Sequence, residues 1–391
     1  MNGVTTPRLA RPRCAADAYV ERLLPFGLVF SPPVGIALAL TLTVLRRSWL
    51  SRVRQDPYVL GTGAGLAVLG TVSGVFSPSP LAAVNGLLAI GALLWLWAVG
   101  RFAVQDGVAF TVRVQRATAL VAVLALAAVF GHAQVRVFFG LPGLALTVLG
   151  PENKGTVLGL GGNGLGPLLV FGAVLGLARA ASPGRRWDRL EGLAVAALNL
   201  FAALSMGVRN ALWGSTVGAV ALVPLAGSWV GCVVLGVGLA AAGLQPQVRL
   251  RLLELVNWKS EAPRWGVWEA SWRMIQDHPW LGVGPGQFHL VHPAYALPQS
   301  SHLTDPHNMY LKVAAEWGVP AAVLFLAWIA RELAVAWKLR AQGYRWALAA
   351  GVLAFLAMGV FDTPLFTLHI SGPVLVGLGV AGGAGHHRGS P

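Results

Sequence analysis

Three residues in this chain carry side chains suited to group-transfer chemistry: His307, Arg209 and Arg264. Histidine has the ordinary pKa best placed to take a proton from a weak nucleophile near neutral pH. His307 follows Asp305-Pro306 in "TDPHNMYLKVAAEWG" and stands just before a helical apolar pattern, so a proline-restricted backbone can fix its position. Asp305 can cap that helix or polarise the imidazole, Asn308 and Tyr310 can contact hydroxyls, and Glu316 can tie the helix end to the loop. Arginine presents a planar fork that binds phosphate oxygens bidentately and keeps its charge, which suits it to neutralising a developing anion. The bland readings are a snorkelling arginine at position 209, a surface charge at position 264 and a histidine that only packs the helix end at 307.

The elements that hold these residues follow from composition. The 391 residues are 55% hydrophobic and only 11% charged, which excludes an ordinary soluble domain and points to an all-α polytopic membrane protein. A helix crosses a bilayer with about 20 mainly apolar residues. Candidate spans lie at 24–45, 57–76, 81–100, 115–131, 165–180, 190–206, 211–225, 228–244, 319–336, 346–365 and 367–384. The formal charge of +14 suggests nucleic acid, but its distribution argues otherwise. Basic residues cluster around Arg46, Arg101, Arg185 and Arg340, between spans, and all four clusters fall on one face. The positive-inside rule makes that face cytoplasmic, so no nucleic-acid partner is implied; membrane lipids are the surroundings.

Ahead of the first span, Arg8, Arg11, Arg13 and Arg22 conflict with a single crossing by 24–45. The break at Ser31-Pro32-Pro33 favours a helical hairpin that returns to the cytoplasmic side. A signal peptide ending at Ala37-Leu38-Ala39 is a third reading, weakened by the apolar residues that continue to Arg46. Residues 1–244 thus form an N-terminal set of spans, 245–318 a large external segment and 319–391 a C-terminal set. The external segment contains "WGVWEASWRMIQDHP", where Trp265, Trp268 and Trp272 fall on nearly one stripe of an amphipathic helix at the membrane surface. A second external stretch, 132–164, is rich in turns.

Gly282, Gly284 and Gly286 around Pro285 form a glycine-rich turn without the lysine or the strand–helix context of a nucleotide loop, so a tight reversal onto the membrane is expected. Cys14 and Cys232 offer neither a disulfide framework nor a thiolate site. His289, His292, His302 and His307 raise a metal-site alternative, but their spacing matches no familiar helical ligand pair, so no metal and no cofactor are expected. A transporter is the non-enzyme alternative. Transporters gather paired charges and broken helices near the midplane, whereas the histidines here collect in one external segment.

"DHPWLGVGPGQF" followed by "DPHNMYLKVAAEWGVPAAVLFL" resembles the signature region of the O-antigen ligase and polymerase family, with its "HPLLGVGPGNF"-like turn and "HNxYLxxxAExG" helix start. Arg264 with Trp268 resembles the family's "R…W" element, and Arg209 in "SMGVRNALWG" stands where the family has an "SRGA"-like element. "GGNGLG" at Asn163 resembles its "GNPN" stretch. Val208, Asn210 and the missing proline depart from these patterns. The resemblance covers roughly 155–335. It implies a metal-independent, inverting glycosyltransferase of GT-C-like helical fold in the inner membrane, with its active site facing the exterior. The implied donor is a glycan on undecaprenyl diphosphate, and the implied acceptor is a glycan or lipid hydroxyl of the lipid A–core type. Related members extend a second repeat or modify protein. On that footing His307, Arg209 and Arg264 are the expected catalytic residues, and Asn308, Tyr310, Asp305, Asn163, Gly284 and Gly286 the expected substrate contacts.

Overall fold

The computed structural model describes residues 15–130, 135–138, 145–149, 156–157, 160, 162–208, 210–226 and 262–383. Helices dominate throughout, as the composition requires of a chain that must satisfy its backbone inside lipid. Among the described residues five helices are long and apolar enough to cross a membrane, and three shorter apolar helices accompany them. The expected span at 228–244 and the segment "VRLRLLELVNW" lie outside the described residues.

The described residues begin with two helices, α1 (Ala15–Phe30) and α2 (Pro32–Leu45). Ser31 is extended, and Pro32 and Pro33 start the second helix, where a missing N–H costs nothing. α2 folds back on α1: a side chain at Gly35 would strike the Leu28 backbone at 2.7 Å, and one at Gly27 the Leu38 side chain at 2.7 Å. Arg46, past the end of α2, pairs with Asp17 at 3.1 Å and Glu21 at 2.8 Å in the first turns of α1. The hairpin reading of this region therefore holds. A bend of 86° then turns the chain into the short α3 (Trp49–Gln55).

Asp56 caps α4 (Pro57–Val75), accepting the N–H groups of Tyr58 at 3.1 Å and Val59 at 3.2 Å. α5 (Pro80–Ala98) ends in a π turn over Val99–Ala103, and α6 (Gly107–Phe130) follows. Three short antiparallel strands come next: β1 (Val135–Phe138), β2 (Ala145–Leu149) and β3 (Thr156–Val157), in the order β1-β2-β3. Sequence reading gave only turns for this stretch. "VRVF" and "ALTVL" are rich in β-branched residues, and pairing them satisfies backbone groups that a bare loop would leave open.

α7 (Gly162–Ala181), α8 (Arg186–Ser205) and α9 (Ala211–Ala226) follow among the described residues. A Cβ at Gly176 would sit 2.7 Å from the Gly192 carbonyl oxygen, so small residues let α7 and α8 approach closely. α10 (Ala262–Asp277) is the Trp-bearing helix. α11 (Met309–Lys338), α12 (Tyr344–Met358) and α13 (Leu368–Gly382) close the bundle.

The four basic clusters meet at one end of the bundle. Arg46 and Arg52 donate to the carbonyls of Ala103 and Phe102, and Arg101 reaches Glu332 at 2.8 Å, the Gly382 carbonyl at 2.8 Å and Asp56 at 3.3 Å. Arg116 and Arg179 share Glu191, at 2.7 and 2.9 Å. Arg345 donates to the carbonyls of Val380, Ala381 and Gly383. Glu332 is fully buried and also takes Arg331 at 3.0 Å, so two arginines neutralise one buried carboxylate. From this face α4 carries the chain 19 residues, about 28 Å, to the opposite end.

Candidate active site

That opposite end is organised by two backbone reversals that lock together. Gly282, Gly284 and Gly286 all have positive φ, which residues with a Cβ adopt at a penalty. They turn the chain back on itself, so Val283 N–H donates to the Ala315 carbonyl and Gly284 N–H to the Glu316 carbonyl, both at 2.9 Å. The Glu316 carboxylate, fully buried, accepts Gly286 N–H at 2.9 Å and Phe288 N–H at 3.2 Å. Gly318, with φ 81° and ψ 165°, interrupts α11, and Val319 N–H donates to the Pro279 carbonyl at 2.8 Å. Ser73 of α4 donates to the Glu316 carbonyl, and Gln287 to that of Ser79. The glycine turn is thus a structural reversal stapled to α4 and α11, and the expected tie between Glu316 and the loop is present.

On this base stands the loop that carries His307. Asp305 Oδ1 accepts the His307 N–H at 2.9 Å and the Thr363 hydroxyl at 2.9 Å, while Oδ2 receives Lys312. His307 has φ 47°, a left-handed conformation that costs a Cβ-bearing residue roughly 1–3 kcal/mol and is found where a site demands it. Its ring stays about one-third exposed, with Nδ1 3.8 Å from Asp362 Oδ1, beyond hydrogen-bond reach but close enough for charge to act. Trp268 of α10 donates its indole N–H to the Pro306 carbonyl at 3.0 Å and packs on Phe361 at 6.2 Å. α10, α11 and the α12–α13 turn therefore converge on one histidine.

The expected site residues fall as follows. Arg264 is half-buried on α10, one helical turn before Trp268, so it shares the helix face turned toward the His307 loop. Arg209 lies outside the described residues. Asn308 caps α11, accepting from Tyr310 N–H at 3.0 Å and Leu311 N–H at 3.1 Å. Tyr310 donates its hydroxyl to the Leu356 carbonyl at 2.8 Å. Asp305 neither caps α11 nor is the carboxylate paired with the imidazole ring: it binds the His307 backbone, Asn308 is the cap, and Asp362 approaches the ring. Asn163 is exposed at the start of α7. The N–H groups of Gly284 and Gly286 are taken by Glu316. His292 is buried against Phe288, and burial lowers its pKa. Among the described residues no three His, Cys, Asp or Glu side chains converge as metal ligands.

Asp362, Thr363 and Lys312 escaped sequence reading. The usable signal is "FDTP", a carboxylate, a hydroxyl and a helix-starting proline near the end of the apolar stretch 346–365 and just ahead of 367–384.

Among comparisons with known proteins, a family model described as O-Antigen ligase matches residues 63–326, more than half of the chain. The chain belongs to the O-antigen ligase family. A curated O-antigen ligase from Pseudomonas aeruginosa is 32% identical over 88 residues, which is 22% of this chain. The alignment spans 21% of that relative's length. The family match takes in the glycine turn, the His307 loop and the first half of α11, while Asp362 and Thr363 lie beyond it. As an O-antigen ligase family member with apolar helices of spanning length, the chain is a multi-pass membrane protein.

The Asp305 latch carries a pH expectation. Burial works against its ionised form, but Lys312 and hydrogen bonds from Lys312, His307 and Thr363 outweigh it and hold the carboxyl below its ordinary value. A depressed carboxyl contributes stability that is present above its unfolded pKa, about 3.9, and is lost as pH falls through the folded value. The native loop should therefore stay latched throughout the mildly acidic range. Lys312→Met removes the opposing charge and leaves burial to push Asp305 up, so its acid-induced loss of activity should begin at higher pH. An unchanged acid limb in the variant, from activity profiles on matched samples, would contradict this account.

Proposed function

We propose that the protein transfers a glycan from an undecaprenyl-diphosphate carrier to an acceptor hydroxyl of the lipid A–core type, on the outer face of the inner membrane. The observation that carries this reading is His307 itself. A partly exposed imidazole is held in a left-handed backbone by Asp305 and faced by Asp362 at 3.8 Å, at the end of the bundle opposite the basic clusters. Asp362 lies against the Nδ1 side of the ring, so Nε2 is the nitrogen left to take the acceptor's proton. The freed oxygen attacks the anomeric carbon from the face opposite the diphosphate, the bond from carbon to phosphate oxygen breaks, and the configuration inverts. The proton ends on Nε2 and the electron pair on the leaving diphosphate. That leaving group needs neutralisation more than a proton, and Arg264, with Arg209, is suited to supply it. In this reading His307 supplies the base without a metal ion.

Orientation rests on the positive-inside rule: the arginine-rich end faces the cytoplasm, and the His307 end faces outward. Impermeant labelling of single cysteines in intact cells should reach the exposed position 301 and not the exposed position 340; the reverse pattern would overturn the orientation. A polymerase or protein-modifying activity would use the same donor and chemistry with a different acceptor. A transporter would require a gradient. The test is transfer of labelled glycan by purified protein in detergent, offered core oligosaccharide, a second lipid-linked repeat and a protein substrate in parallel. Transfer to core oligosaccharide supports the ligase; transfer to none of the three, by protein that retains donor binding, removes the enzyme reading.

A further inference from the structure

A cavity of about 970 Å³ lies among the helix ends of the arginine-rich face. It opens between the start of α6, the end of α7 and the turn from α11 to α12. α12 runs 15 residues, about 22 Å, from Tyr344 at the cavity to Met358, beside the Gly359 carbonyl that accepts Met309 N–H. The cavity is therefore separate from the His307 site.

Its lining contains an unsolved polar problem. Gln115 is fully buried, and neither its amide oxygen nor its amide nitrogen has a hydrogen-bond partner. Buried amides are almost always partnered, so an amide in the cavity wall with neither end satisfied leaves polar capacity unmet there. Arg179 repeats the pattern: its Nη2 serves Asp188 at 2.6 Å and Glu191 at 2.9 Å, while its buried Nη1 has no partner. Lys338 and Arg340 stand exposed among the lining residues, and Asp188, the lining carboxylate, is already matched to Arg179. The surplus charge is positive. Val108, Val112 and Leu175 give the walls an apolar character at the level where membrane helices end.

We propose that this cavity binds an anionic phospholipid from the leaflet that the arginine-rich face contacts, independently of the reaction at His307. Cationic groups at the mouth, a buried amide within and apolar walls match a phosphate, an ester region and the start of an acyl chain. A free phosphate shares the charge but gains nothing from the walls.

Native mass spectrometry of the full chain released from detergent, titrated with phosphatidylglycerol or phosphatidylethanolamine, tests the assignment. Phosphatidylglycerol should bind one copy about tenfold or more tightly than phosphatidylethanolamine. K338A/R340A should lose most of that preference, as should Val108→Trp, which fills the cavity from an exposed position and leaves the charges in place. R47A/R54A, two exposed arginines on α3 and its approach, should keep it. Equal binding of the two lipids, an unaffected K338A/R340A or V108W variant, or an equal loss in R47A/R54A would each overturn the site. So would full displacement of the lipid by millimolar inorganic phosphate or glycerol phosphate, which would mark a soluble-anion site instead.

Discussion

His307→Ala is expected to lower glycan transfer by about 10²–10⁴-fold, the usual contribution of a positioned base, while binding of the lipid diphosphate is largely kept. The base serves the acceptor, so donor affinity is the wrong place to look for the loss. The backbone makes a sharper variant available. Because His307 occupies a left-handed conformation, His307→Gly relieves strain and preserves the turn while deleting the imidazole. Both variants should be folded and inactive. His307→Asn and His307→Gln keep hydrogen bonding without basicity and should be inactive as well. His289, His292 and His302 should be individually dispensable for chemistry, which a shared metal cage would not allow. Transfer at near-wild-type rate by the Asn or Gln variant, at normal expression, would end the general-base assignment.

Gly318→Ala and Gly282→Ala should damage the fold severely at the end that carries the His307 loop. Gly318 has φ 81°, and a Cβ there would lie 2.3 Å from the Trp280 carbonyl oxygen and 2.5 Å from its carbon. Gly282 has φ 65°, and its Cβ would lie 2.5 Å from the Glu316 backbone carbon. Backbone cannot swing aside as a side chain can. The left-handed penalty and the overpacking together come to about 2–5 kcal/mol. Gly63→Ala and Gly91→Ala are the matched controls, since nothing lies within 4 Å of either position and both are helical. Thermal melting in detergent, read by the monodisperse fraction, should fall clearly for the first pair and stay flat or rise for the second. A Gly318→Ala protein that melts with Gly63→Ala would show that the two reversals are not what holds the loop end together.

Much of this architecture was legible in the sequence because lipid leaves few choices. An apolar composition forces helices, the Ser31-Pro32-Pro33 break forces a hairpin, and glycines packed around Pro285 force a reversal. The details that escaped are long-range or cryptic. Thr363 reaches Asp305 across 58 residues, and nothing local in "FDTP" says which loop it meets. Asp362 was masked by an apolar run that reads as one span following another. Asp305, the nearest carboxylate to the imidazole in sequence, is consumed by the His307 backbone, Thr363 and Lys312. Arg264, singled out by its resemblance to the family's "R…W" element, stands on the helix that Trp268 anchors to the loop, whereas Arg209 lies outside the described residues.

α4 is fastened at both ends. Asp56 joins it to Arg101 at one, and Ser73 joins it to Glu316 at the other. A helix pinned in this way is a rigid strut, unable to tilt freely to suit the sheet of lipid around it. Hydrophobic mismatch must then be absorbed by the bilayer, which thins or swells locally at a cost that grows with each ångström. The height of the imidazole relative to the hydrocarbon then varies with acyl-chain length, and on the proposed lipid-linked donor this predicts transfer that depends on bilayer thickness.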